Sequence, residues 1–184
     1  TGYDPGSPAA PDDMFRKPLT TDEIRDILLR KKEVNEYDED GEIVGSKTIE
    51  EEVNSQEIKF YEMKEDWFFE RERSVMDVRI IGLKPVREYE NEAGEPALED
   101  LFWIYFPEAR YVFANNEVYN RKNDAERRTY EDVFWKRQFE STIIKESNVY
   151  DRQINEYKTG IDALLEAERI KDEIFRFEHD MWSF

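Results

Sequence analysis

Two acidic residues, Asp66 and Glu108, lie in sequence next to aromatic residues, Trp67 on one side and the run Leu101 to Phe106 (LFWIYF) on the other. Such a pair is the equipment of glycoside chemistry, in which one carboxyl group protonates the leaving oxygen, the other attacks or activates water, and an aromatic face carries the sugar. The signal is unspecific. Forty-five of 184 residues are acidic, so some carboxylates fall beside aromatics by chance. The lone histidine, His179, stands between Glu178 and Asp180 near the C-terminal end of an expected helix, where a cation suits the dipole. One imidazole makes a poor metal centre, and it supplies no Ser-His-Asp arrangement. In Glu36 to Glu42 (EYDEDGE), Asp38, Asp40 and Gly41 fit the third, fifth and sixth positions of an EF-hand loop. Lys47 then occupies the twelfth, where a bidentate carboxylate must sit, so an acidic hairpin turn is the better account. Glycine-rich phosphate loops are absent from the sequence. No catalytic, cofactor-binding or metal-binding set is therefore expected.

The cations form two groups within this acidic background. Arg71, Arg73, Arg79 and Arg87 fall in a strand-like region, and Arg127, Arg128, Lys136 and Arg137 in the helical region that follows. Arginines in an acidic domain usually pair with carboxylates of their own chain; bridges to a second protein are the functional alternative. With their aromatic neighbours they supply the partner-binding candidates Trp67, Phe69, Arg71, Arg73, Arg127, Arg128, Trp135 and Phe139.

The elements that must hold these residues follow from periodicity. Residues 1–18, rich in proline with two glycines, read as an extended leader. Thr20 and Glu23 form a capping box that opens a surface helix expected to run to about Lys32. From Ile58 the segments IKFYEM, DWFFE, VRIIGL, VREY and LFWIYF read as an antiparallel meander. Ile80 to Leu83 and Leu101 to Phe106 are apolar throughout, which calls for strands covered on both faces or packed together centrally. Pro85 and Pro107 mark where ladders weaken or stop, and Pro107 suits the first turn of a short helix. Asn123 and Glu126 suggest a cap for a longer helix carrying Tyr130, Val133 and Phe134 on one side and Trp135, Phe139 and Ile143 nearly opposite. A last helix shows Ile161, Leu164, Leu165, Ile170, Ile174, Phe177, Met181 and Phe184 as one stripe, expected to dock on the body of the chain. The sum is an α+β fold, an antiparallel sheet with a surface helix and two long C-terminal helices, as a single domain over 19–184 behind the leader.

Composition narrows the function classes. Forty-five acidic against 27 basic residues give a net charge of −18, a field that repels phosphate backbones and anionic head groups, so nucleic acid and bare membrane are poor partners. The same field speeds encounter with a basic protein surface, or serves solubility alone. The absence of cysteine is compatible with any compartment. No apolar run approaches the roughly 18 residues a membrane helix needs, so direct insertion is not expected.

Four stretches carry a family resemblance: KEDWFFERERSVMDVRIIGLKP (64–85), LFWIYFPEAR (101–110), VYNRKNDAERRTYEDVFWKRQFESTIIKESNVYDRQINEY (118–157) and IFRFEHDMWSF (174–184). In order and spacing they resemble the GldN family of gliding-motility proteins, called PorN in non-gliding relatives, from about Tyr61 onward, with a weaker echo in TGYDPGSPAAPDDMFRKPLT. The resemblance implies a non-enzymatic structural component of the type IX secretion system. It would work in the periplasm, associated with the outer membrane through a GldK/PorK-like lipoprotein with which it builds a ring, and contact a GldM/PorM-like inner-membrane-anchored protein. It also implies that the chain is the C-terminal portion of a longer family member. A carbohydrate- or peptidoglycan-binding or -processing domain using Asp66 and Glu108 is the alternative, favoured if an exposed aromatic row flanks convergent carboxylates. Burial of Trp67, Trp103 and Tyr105 as a core is the expectation.

Overall fold

The computed structural model describes residues 1–7, 10–37, 43–91, 94–119 and 126–180. In chain order the elements are β1 (Gly2–Tyr3), β2 (Gly6–Ser7), β3 (Ala10–Pro11), β4 (Pro18–Leu19), α1 (Thr21–Leu28), β5 (Leu29–Tyr37), β6 (Ile43–Glu52), β7 (Ile58–Glu70), β8 (Val75–Glu90), β9 (Pro96–Asp100), β10 (Trp103–Tyr105), α2 (Phe106–Asn115), β11 (Glu117–Val118), β12 (Arg128–Thr129), α3 (Tyr130–Trp135) and α4 (Ile161–Asp180). The fold is α+β with a mostly antiparallel sheet. Two compact units divide it: Thr1–Asp66 with Arg79–Tyr111, and Trp67–Val78 with Val112–Phe184.

In the first unit a six-stranded sheet runs β4-β1-β10-β8-β7, with β9 also on β8. Central β8 carries six consecutive buried residues, Gly82 to Arg87, so both faces are covered, as its apolar run requires. Pro85 lies where β8 exchanges partners, from β10 at Gly82 and Leu83 to β9 from Val86 onward. A residue without an N–H costs least at such a break, and its carbonyl still accepts from the Leu101 amide at 3.2 Å. Leu83, Val86, Leu101 and Trp103 form the apolar core.

The proline-rich opening contributes strands to this unit: β1 pairs with β10 and β4, and Phe15 packs edge-on against Tyr3, Trp103 and Tyr105 at 5.5 to 5.7 Å. Gly82 makes that packing possible, because a Cβ there would lie 2.8 Å from Phe15 Cε1 and closer still to Cζ. The capping box of α1 forms as its sequence dictates: the Thr20 hydroxyl accepts from the Glu23 amide, and the Glu23 carboxylate accepts from the Thr20 amide at 2.7 Å. The helix ends at Leu28, four residues short of the expected Lys32, because Leu29 turns extended and begins the β5–β6 hairpin. The acidic turn expected over Glu36 to Glu42 falls mostly on residues 38–42, which lie outside the described residues.

In the second unit β11 pairs with β12, and Thr129 caps α3 with Asp132 in a second capping box. The cap expected at Asn123 lies outside the described residues. The long helix expected here is six residues. Arg137 adopts a left-handed φ of 49°, its amide bonds Phe134 O, and the Gln138 amide bonds Val133 O, a Schellman closure. Of the two long C-terminal helices expected, the described residues hold one, α4. Its buried face is Ala167 and Ile170 with Ala163 and Ile174, packed on Ile154 and Ile143. The single stripe read from sequence is thereby corrected. Five steps from Leu165 to Ile170 rotate the helix by about 140° beyond a full turn, which leaves Ile161, Leu164 and Leu165 exposed on the far side.

Candidate functional site

Two surfaces gather the residues with chemical potential, one in each unit. In the first unit, β8 buries two cations. Lys84 Nζ lies 2.7 Å from Glu62 and 2.5 Å from Asp100, and 5.2 Å above the Trp103 ring. Arg87 Nε pairs with Glu57, its Nη1 lies 3.6 Å from Glu99, and its guanidinium stands 5.6 Å from the Tyr89 ring. The Lys84 side chain is 4% exposed, whereas Glu62 is 28% and Asp100 45% exposed. The cations are desolvated and their anions still touch water. Ion pairs so arranged hold β7 and β9 against β8. Sequence reading named Arg87 only as one of a cluster and missed Lys84. The signal was present: a lysine inside an otherwise apolar run must find a carboxylate.

In the second unit, Arg137 gathers aromatic residues far apart in sequence. Its guanidinium lies 5.4 Å from the Trp67 ring and 5.2 Å from Phe139, while Phe134 contacts Phe113 at 5.3 Å and Phe139 at 6.1 Å. The left-handed turn at Arg137 is what brings Phe139 back onto Phe134. The double-sided helix is corrected accordingly: Phe139 shares the face of Phe134 in place of opposing it, and Trp135, 77% exposed, carries the outer side alone. Trp67, expected to be buried, is 42% exposed beneath Arg137.

The other candidates are dispersed. Arg73 lies 2.6 Å from Glu70, and Arg71 is exposed on the turn between β7 and β8. Phe69 is half-buried on β7. Arg127 lies 3.5 Å from Glu117. Arg128 bonds Glu126 at 2.8 Å and Gln138 at 3.0 Å. That bond holds the Glu126 carboxyl below its usual range and raises the Arg128 guanidinium. Asp132 is held low by the Thr129 backbone amide first and its hydroxyl second. Three of the four candidate arginines thus meet carboxylates of their own chain.

The sugar-platform geometry loses its main part. Trp103 is buried beneath Lys84, Tyr105 is half-buried against Phe15, and both belong to the first unit, whereas Trp67 belongs to the second. Burial as a core holds for Trp103 alone of the three. Asp66 and Glu108 are exposed. His179 is exposed too, its ring 6.5 Å from Phe175. No helix among the described residues is long and apolar enough to cross a membrane.

The described residues pair the buried cations of β8 with carboxylates of the same chain and leave large aromatic residues such as Tyr111, Tyr119 and Trp135 exposed. A family model described as gliding motility associated protein GldN matches residues 1–183, well beyond the stretch from Tyr61 that carries the resemblance, and the chain belongs to the GldN family. Comparison with the curated proteins finds no match.

Proposed function

We propose that this chain is a non-enzymatic assembly module of the type IX secretion and gliding machinery. It works in the periplasm, held at the outer membrane by a GldK/PorK-like lipoprotein with which it builds a ring, and it contacts a GldM/PorM-like protein anchored in the inner membrane. Family membership supports the class of function. The observation that carries the assembly role is the exposure of large apolar side chains across the second unit, Tyr119, Trp135, Val149 and Tyr150 among them. A ring requires a heterologous, repeating contact, so two different patches of each copy are covered in it. Size-exclusion chromatography with light scattering tests the reading, on this chain alone and mixed with the soluble part of the lipoprotein. Co-elution at a mass equal to or above the sum of the two supports it. Two separate peaks at every mixing ratio remove the lipoprotein as a direct partner of these residues.

A further inference from the structure

The loop from Lys145 to Gln153 is built to display its tip. Asn148 organises it through four hydrogen bonds: Oδ1 accepts from the Tyr150 and Arg152 amides at 3.0 and 3.2 Å, and Nδ2 donates to Glu146 O and Arg152 O at 3.2 and 3.0 Å. Asp151 adopts a left-handed φ of 52° and lies 2.6 Å from Lys145 Nζ, while Lys145 bridges Gln153 across the base. At the tip Val149 is 96% exposed and Tyr150 74%. Arg152 is stacked 4.6 Å from Tyr150 and 5.6 Å from Tyr157, which fixes a cation beside the tip. Apolar side chains on so rigid a loop pay little ordering entropy when they dock.

The first unit carries a cleft of complementary character. About 450 Å³ in volume, it has Ile27, Leu29 and Leu101 as apolar wall, with Asp26, Glu99 and Asp100 outnumbering Arg87 around it. Glu99 and Asp100 already face Arg87 and Lys84, and with Asp26 added the carboxylates still favour an occupant that is apolar with a cationic flank, as the tip is.

We infer that Val149 and Tyr150 of one copy dock into this cleft on a second copy, with Arg152 facing Asp26 and Glu99, as a head-to-tail contact. The inference rests on the ring reading and deepens it, because knob and cleft are different patches, as a heterologous interface demands. The net charge of −18 opposes self-association at long range, so the contact strengthens as moderate salt screens that repulsion and weakens again when salt screens the local pairs.

Sedimentation velocity of the full chain over a concentration series tests it, with a knob variant (Val149→Asp with Tyr150→Asp) and a cleft variant (Asp26→Arg). All three positions are exposed, and circular dichroism checks that each variant folds. The wild type is expected to associate beyond dimers, and each variant to associate at least about tenfold more weakly. Mixed one to one, the variants are expected to form a dimer that does not grow, since one intact knob then meets one intact cleft. Adding Arg152→Glu to the cleft variant should restore self-association by exchanging the charges. A wild type that stays monomeric throughout overturns the inference, as does a knob variant that associates like the wild type or a mixture that fails to pair. Loss of lipoprotein binding in the knob variant with self-association unchanged also overturns it and gives the tip to that partner. The cleft variant should still bind the lipoprotein, so failure of this contact and failure of the assembly reading remain distinguishable.

Discussion

Removing the two anions around Lys84 should destabilise the fold more than removing Lys84 itself. At 2.7 Å the Lys84–Glu62 pair has a gross attraction of about 6 kcal/mol at an effective dielectric near 20, and Asp100 adds a similar amount. Most of this offsets the desolvation of the ammonium, which is 4% exposed. In Lys84→Met the buried stem keeps its packing on Trp103, and Glu62 and Asp100, already partly in water, rehydrate; the loss should be about 1 kcal/mol. In the double variant Glu62→Gln, Asp100→Asn the ammonium stays desolvated with only neutral amides and the ring for company, and the loss should be about 3–5 kcal/mol. Urea denaturation of the three proteins reads both numbers. The two variants should also differ in Tm by roughly 4–16 °C, the shift expected for about 2–4 kcal/mol in a chain of this size. Equal losses, or a larger loss for Lys84→Met, would refute the claim that the cation is the desolvated partner.

Four further outcomes follow from the packing. Trp103→Ala should cost about 3–5 kcal/mol, as truncation of a buried aromatic does, and an unchanged Tm would contradict its place in the sheet core. Gly82→Ala should cost about 1–3 kcal/mol by overpacking against Phe15, and much less in a Phe15→Ala background; equal costs in both backgrounds would separate the two residues. At position 137, Gly should be more stable than Ala by about 1 kcal/mol because the left-handed conformation penalises Cβ, and the reverse order in urea midpoints would contradict the turn. Asp4, Glu23, Glu126, Asp132 and Glu166 are all held below the ordinary carboxylate range, Asp4 by Lys17, Glu166 by Arg169 and the others as described or by the Thr20 cap. A folded value below the unfolded one stabilises at neutral pH and is lost as pH falls through the folded value. The urea midpoint should therefore decline as pH drops below about 4, and a midpoint that rises on acidification would contradict the pairing.

What the sequence made legible was local. The Thr20–Glu23 box needs only residues three apart, and it forms as written. The apolar continuity of Ile80 to Leu83 announced a central strand, and β8 is central. The misreadings came from long-range geometry. Proline content suggested a leader at residues 1–18, but Phe15 finds its place only because distant Gly82 lacks a side chain. The helix expected through Ile143 stops at Trp135 because Arg137, not a glycine, takes the left-handed position, and no composition rule marks an arginine for that role. In α4 the small residues Ala163 and Ala167 share the buried face with Ile170 and Ile174, while Ile161, Leu164 and Leu165, which opened the expected stripe, point outward. Of the candidate site residues, Trp67 and Phe139 are joined by Arg137, a contact set by tertiary structure alone.

Electron microscopy of this chain purified together with the full-length lipoprotein in detergent tests the assembly reading most directly. Closed rings containing both proteins are expected. Lipoprotein particles lacking this chain, with the chain recovered separately as a monomer, would contradict it.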